Sequence, residues 1–165
     1  MGATAWMVRA AEGGRLADDF RERGVVAIGW TDLGDLNQYP DKERIKSAVD
    51  SAYPDWPEGR KQTSASQLER FRREPRIGDR VVTYDSSRRL YHIGTIESDY
   101  LYQPDVVPPF ENIRRVTWDG EVRRDDLSVG TRNRLGSTLT LFRIPDPAAA
   151  ELEIVLSGKG VDVPA

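Results

Sequence analysis

The aromatic side chains of this sequence are candidates for ligand binding, because a flat ring can stack on a flat ligand such as a nucleic-acid base. The chain has four tryptophans and six tyrosines. Trp30 ends an apolar run, at a point where a side chain can leave the core, and Tyr84 ends a second predicted strand. Trp6 lies inside an apolar strand, and Trp56 lies in a loop that we expect to pack on the domain. We predict that Trp30, Tyr84 and Trp6 wall a stacking pocket, with ordinary burial as the alternative for each.

Polar side chains that could read the edge of a stacked ring are predicted at a helix start and after Tyr84. Ser64, Ser66 and Gln67 fall at the expected start of the third helix, where side chains and free backbone amides can hold a base edge or a phosphate. N-capping of the helix is the alternative for the serines. Asp85 could accept a hydrogen bond from an exocyclic amine or hold its own turn, and the sequence favours neither role.

Arginine dominates the basic side chains, since 20 of the 24 lysines and arginines are arginine. The guanidinium group suits bidentate contacts with phosphates and guanine edges. Residues 60–143 carry 16 basic and 12 acidic side chains, although the whole chain has a net charge of −3. A GC-rich genome would explain the arginine content equally well. Candidate phosphate contacts, each with a solvated surface as the alternative, are Arg88, Arg89, Arg114, Arg115, Arg123, Arg124, Arg132 and Arg134.

The sequence offers little material for catalysis. It has no cysteine, which excludes disulfides, thiolate zinc sites and cysteine nucleophiles and fits a reducing cytoplasm. Its one histidine, His92, lies in a predicted strand and does not make a usual zinc site alone. We expect no metal, no cofactor and no enzyme activity, so that any nuclease would be a separate domain or partner. No run of 18 apolar residues occurs, so we expect no membrane span.

The predicted elements are organised around a hairpin over residues 76–100. Pro75 ends the helix before it, since the residue preceding a proline is pushed out of the helical region. Upstream, Gly24 closes an amphipathic helix and Asp41 caps another. A third helix is expected over residues 64–73, a loop over 103–109 and a turn at 119–120. The sequence further predicts strands over residues 4–9, 25–30, 80–84, 91–96, 113–118 and 138–144. Together these elements predict an α+β fold with a curved mixed sheet, a small open barrel of about six strands flanked by helices.

Several motifs resemble those of the PUA-like group that includes the EVE and YTH domains. They are Trp6, Gln67-Leu68-x-x-Phe71, the run from Ile77 to Asp85, and Ile93-Gly94-x-Ile96. The run from Ala5 through Ile28-Gly29-Trp30 and the block over residues 124–137 resemble more closely the N-terminal domain of Mrr-type and related restriction proteins. The likeness covers about residues 4–145.

This resemblance implies a reader that flips a modified nucleotide into an aromatic cage, as the specificity module of a modification-dependent restriction system. Family members usually carry a tryptophan just before the Gln-Leu-x-x-Phe helix. This chain has Thr63-Ser64-Ala65-Ser66 there, so the resemblance implies a pocket wall that is more polar or wider.

The favoured hypothesis is a DNA-binding reader of 5-methylcytosine, whose partners are double-stranded DNA with the modified base and a nuclease domain or subunit. The alternatives are an RNA-binding accessory domain of the same fold, a reader of N6-methyladenine in DNA, and a small-molecule or nucleotide sensor. Residues 1–145 are predicted to form one reader domain. Residues 146–165 are predicted as a C-terminal helix and tail, with a link to an effector domain as one interpretation.

Overall fold

A computed structural model describes residues 4–158 of the chain. Its strands are β1 (Ala5–Val8), β2 (Val25–Ile28), β3 (Arg80–Asp85), β4 (Leu90–Ile96), β5 (Leu101–Val107), β6 (Phe110–Arg123) and β7 (Leu141–Arg143). Its α-helices are α1 (Ala17–Arg23), α2 (Lys42–Ala52), α3 (Glu58–Arg73), α4 (Val129–Leu135) and α5 (Asp146–Leu156). No helix within the described range is both long and apolar enough to cross a membrane.

The strands form one curled, mixed sheet that makes a half-barrel. Six of them follow the order β2-β6-β4-β3-β1-β7, and β5 pairs with β6 off this path. β1 and β3 run parallel, whereas the other pairs are antiparallel. The α+β class and the curved mixed sheet flanked by helices are therefore confirmed.

Local signals position several element ends where the sequence predicts them. Gly24 adopts the left-handed conformation at the end of α1, with φ 66° and ψ 45°. Asp41 caps α2 by accepting a hydrogen bond from the backbone of Arg44 at 2.9 Å. The central hairpin pairs Val82 with Ile93 and Asp85 with Leu90. These helix ends and the hairpin are confirmed.

Two expectations about the second half of the sheet are wrong. The predicted loop over residues 103–109 contains most of β5, which accommodates Pro104 because it lies at the edge of the sheet, where proline removes no ladder bond. The predicted turn at Asp119-Gly120 is a β-bulge, because Ile93 pairs with Gly120 and Gly94 with Trp118. The extra residue bends β6 without ending it, so the strand continues to Arg123.

Helices cover both faces of the sheet, and β1 shows how the two faces divide. Trp6 and Val8 belong to the larger buried cluster, which includes residues of α1, α2 and α3. Ala5 and Met7 belong to a second cluster with residues of α4 and α5. Successive side chains of a strand point to opposite faces, so a four-residue strand serves both cores. The C-terminal helix predicted after residue 145 is present as α5, and residues 159–165 of the predicted tail lie outside the described residues.

Candidate functional site

A cleft of about 920 Å³ opens at the end of β2, beside the N-terminal half of α3. Four aromatic side chains line it: Trp30, Tyr53, Trp56 and Phe110. Its volume falls in the usual range for small-ligand sites, which are mostly apolar with a few fixed polar groups. The structure thus brings Trp30 into an aromatic cleft, which we refer to below as the cleft.

One wall of the cleft is a three-layer stack. The rings of Tyr53 and Trp56 lie 4.0 Å apart and are inclined by only 7°. The Arg60 guanidinium lies 3.6 Å from the centre of the Trp56 ring, on the scale of a close cation–π contact. Trp56 therefore packs on the domain, as expected, and also forms part of the cleft wall. Arg60 makes no ion pair within residues 4–158, so its charge is not neutralised by a carboxylate.

Trp30 has an unusual backbone conformation, with φ 57° and ψ 47°. A bulky residue in the left-handed region is an outlier, and such residues concentrate at functional sites because their strain is held by the surrounding structure. Within the described chain, the non-glycine residues with positive φ are Ala11, Trp30 and Arg89. Two of these three residues, Ala11 and Trp30, line the cleft.

Buried hydrogen bonds support the segment that carries Trp30. The Tyr100 hydroxyl donates to Asn112 Oδ1 at 2.6 Å and accepts from the Leu36 backbone N–H at 2.8 Å. Asn112 in turn donates to the Gly29 carbonyl at 3.4 Å, directly before Trp30. Burial raises the pKa of the Tyr100 hydroxyl, so it remains a neutral donor at any physiological pH. The loop that presents Trp30 is therefore anchored to β6 through a buried polar network.

The floor of the cleft is polar and comes from α3. Ser64 is 4% exposed, lines the cleft, and its hydroxyl makes no hydrogen bond to another described residue. Gln67 accepts a hydrogen bond from the Leu141 backbone N–H at 2.9 Å, which fixes its amide oxygen toward β7. Its amide nitrogen reaches only the Thr63 carbonyl, at a long 3.5 Å. Ser64 and Gln67 therefore retain donors for a ligand in the cleft.

The prediction that Ser64 and Ser66 lie at a helix start is wrong. α3 begins at Glu58, because Pro57 supplies the fixed φ that precedes a first turn, and both serines lie inside the helix. They therefore neither cap the helix nor stand beside free backbone amides. Ser64 and Gln67 lie on the face of α3 that lines the cleft, whereas Ser66 is half-buried and does not line it.

Arginines surround the cleft. Arg9, Arg15 and Arg60 line it, and Glu12 is the one acidic residue among the described lining residues. Arg9 donates to the Thr138 carbonyl at 2.7 Å, and neither Arg9 nor Arg15 forms an ion pair within residues 4–158. The mouth of the cleft is therefore positively charged.

A second depression, which we refer to as the arginine groove, lies next to the cleft. Arg9 and Thr138 line both. The groove has a volume of about 470 Å³ and is lined by four arginines, Arg9, Arg89, Arg124 and Arg132, together with Tyr84 and Tyr91. Tyr84 is thus placed in the groove and not in the cleft. The structure brings together Arg89, Arg124 and Arg132 of the predicted phosphate contacts and adds Arg9.

Trp6 and Asp85 lie away from the cleft. Trp6 is 3% exposed and donates from Nε1 to Asp79 at 3.0 Å in the core. Asp85 is buried and accepts hydrogen bonds from the Ser87 hydroxyl at 2.7 Å and the Arg88 backbone at 3.3 Å, which matches the turn-holding alternative. Burial would raise the pKa of the Asp85 carboxyl, but these bonds and the nearby His92 outweigh it and hold that pKa below its ordinary value.

The other predicted phosphate contacts are dispersed. Arg114 is 1% exposed and bonded only to backbone carbonyls, so a role at the surface is wrong for this residue. Arg115 is half-buried and donates to Gln103 at 2.5 Å. Arg88 lies 3.6 Å from Asp18 and 3.8 Å from Asp85. Arg134 is exposed on α4 and lines neither the cleft nor the groove.

Sequence reasoning missed several residues of the cleft: Arg9, Arg15, Tyr53, Arg60 and Phe110. Arg9 follows a short buried strand, and a strand end was the signal used for Trp30, so the same argument could have found it. Tyr53 and Phe110 had no such signal, because each is separated from Trp30 by more than 20 residues and reaches the cleft only through the tertiary fold.

The fold and the cleft define a class of protein: an α+β half-barrel domain with a cleft that is lined by aromatic residues and arginines. Residues 6–144 match the family described as domain of unknown function DUF8426, and the chain belongs to this family. No curated protein and no solved structure matches the chain significantly.

Proposed function

We propose that this chain is a DNA reader that accepts a flipped, modified base in the cleft, with 5-methylcytosine as the preferred mark. The observation that carries the proposal is the combination in one cleft of four aromatic side chains with a serine hydroxyl and a glutamine amide that retain hydrogen-bond donors. Such a cleft can regain the free energy that base extraction costs, which is a few kcal/mol of lost stacking and pairing.

Each part of the cleft has a role in this proposal. Trp30 supplies a face for the base, since base–aromatic stacking is worth about 1–3 kcal/mol per base. Ser64 and Gln67 donate to the acceptors on the pairing edge of a cytosine. Leu139 and Phe110, which also line the cleft, offer apolar contact for a 5-methyl group. The arginines at the mouth attract the phosphate backbone irrespective of the mark.

No catalytic step is assigned to the cleft. Within residues 4–158, no group of three or more histidine or acidic side chains is placed to hold a metal ion. We propose that the chain acts in the cytoplasm and that DNA cleavage, where it occurs, belongs to a nuclease domain or partner that the reader directs to modified sites.

The proposal is tested by equilibrium binding to otherwise identical duplexes. The set carries 5-methylcytosine, N6-methyladenine or no modification, and an RNA duplex and a DNA single strand are measured beside it at moderate salt. We expect a several-fold preference for 5-methylcytosine, because stacking is available to both bases, whereas burial of the added methyl group against Leu139 and Phe110 is worth about 0.8 kcal/mol. Equal affinity for modified and unmodified DNA would overturn the proposal. A preference for N6-methyladenine or RNA would reassign the ligand to one of those classes.

A further inference from the structure

The arginine groove concentrates positive charge that the described part of the protein neutralises only in part. Four arginines line it, and no carboxylate does among the described residues. Within residues 4–158, these arginines form one ion pair, between Arg89 and Asp125 at 2.9 Å, and both of its side chains are exposed to solvent. Like charges held together repel one another, so this arrangement favours a bound anion.

Two details indicate that the groove is shaped for hydrogen bonding as well as for charge. The Nε atom of Arg132 is buried and has no hydrogen-bond partner in the described part of the chain. A buried donor without a partner is unfavourable, and an accepting oxygen beside it would recover that cost. Tyr91 provides a second kind of donor, because burial raises the pKa of its hydroxyl and keeps it protonated, with Arg124 opposing this shift only in part.

The hairpin turn between β3 and β4 positions one of these arginines. Arg89 has φ 54°, a left-handed conformation that common hairpin loops adopt at one position. The turn therefore fixes the backbone from which Arg89 reaches the groove.

We propose that the arginine groove is a phosphate-binding site that holds the phosphodiester next to the nucleotide in the cleft. Phosphate oxygens match the planar fork of a guanidinium, and several arginines can share one phosphate. Arg9 connects the two sites, since it lines both and its hydrogen bond to Thr138 occupies one nitrogen only. The source of the phosphate rests on the proposed function, whereas recognition of a phosphate group rests on the groove alone.

The test pairs a variant with a change in the DNA. Arg132→Gln removes a guanidinium from the groove, and Arg134→Gln removes one from the same helix outside it. Duplexes carrying 5-methylcytosine are prepared with a neutral methylphosphonate at each single position flanking the mark. At the position whose phosphate the groove holds, the methylphosphonate should weaken binding by the wild-type protein about tenfold. The same methylphosphonate should not weaken binding by the Arg132→Gln protein. Arg134→Gln should behave like wild type at every position.

Binding of inorganic phosphate and of a 5′-phosphorylated oligonucleotide distinguishes a free phosphate, a terminal phosphate and an internal phosphodiester as ligands of the groove. Chemical-shift changes in groove residues on adding inorganic phosphate should disappear in Arg132→Gln and in Arg124→Gln, each with a native melting temperature. A terminal phosphate should not bind more tightly than the internal diester. Tighter binding of the 5′-phosphate, or equal methylphosphonate losses in wild type and Arg132→Gln at every position, would overturn the inference.

The two proposals can fail separately. If the preference for 5-methylcytosine is present but Arg132 has no effect on any methylphosphonate, the reader function stands and the groove assignment is wrong. If inorganic phosphate binds through Arg132 while no mark is preferred, the phosphate site stands and its assignment to flanking DNA is overturned together with the reader function.

Discussion

Replacing Arg114 by methionine should lower the free energy of unfolding by about 3–5 kcal/mol, a large part of the 5–15 kcal/mol typical of a domain. Arg114 extends from β6 and donates to the carbonyls of Phe71 at 2.7 Å, Arg72 at 3.0 Å and Pro75 at 2.8 Å. It thereby caps the C-terminus of α3 with a positive charge. Methionine keeps the apolar stem but leaves these buried carbonyls without donors, each at a cost of about 1–3 kcal/mol.

Arg115→Met is the matched control, because it removes the same side chain from the next position of the same strand. Arg115 is half-buried and bonded to Gln103, so we expect a loss within about 1 kcal/mol. Urea unfolding of both variants measures the difference. A change of less than about 1 kcal/mol for Arg114→Met would contradict the role of Arg114 as the cap of α3, and with it the account of how α3 is positioned.

Replacing Trp30 by alanine should remove most of the preference for modified DNA while leaving salt-dependent binding to unmodified DNA in place. A wall of the cleft acts only after the base has left the stack, so its loss affects the marked duplex selectively. A tryptophan needed only for packing behaves differently. Its truncation would cost about 3–5 kcal/mol of stability and weaken binding to every duplex together.

Two controls separate these outcomes. Trp30→Gly suits the left-handed backbone at this position, so it removes the ring with less strain than alanine. Trp118→Phe removes an indole outside the cleft, where Nε1 donates to the Phe20 carbonyl at 2.8 Å, and should leave the preference unchanged. Melting temperatures are measured beside affinities for modified and unmodified duplexes. A Trp30→Ala protein with native melting and an intact preference would exclude Trp30 from the site.

The parts of the fold that the sequence predicted well are those set by local chemistry. Gly24 and Asp41 end and begin helices through backbone conformation and a short-range hydrogen bond. The central hairpin follows from alternation in one segment. Trp30 was placed at a strand end by the same kind of argument, and the structure puts it in the cleft.

The parts that the sequence did not predict depend on contacts between distant segments. Doublets of arginine look alike in sequence, yet Arg114 is buried against α3 and Arg89 is exposed. The burial of each arginine depends on which elements pack against it in the fold. The start of α3 was placed six residues late, since the sequence predicts a loop over residues 54–59 and the first turns of the helix are mostly polar. Tyr53, Trp56 and Phe110 come from the end of α2, the loop before α3 and the start of β6, and they line one cleft with Trp30 only in the folded chain.

Base flipping itself can be measured with 2-aminopurine placed beside the 5-methylcytosine in a duplex, because its fluorescence rises when its neighbour leaves the stack. At saturating protein, we predict a clear rise for the methylated duplex and a much smaller one for the unmodified duplex. The Trp30→Ala protein should show little rise even when fully bound. A saturated complex of the wild-type protein with methylated DNA and no rise in fluorescence would contradict the central claim, since the base would then have remained in the helix.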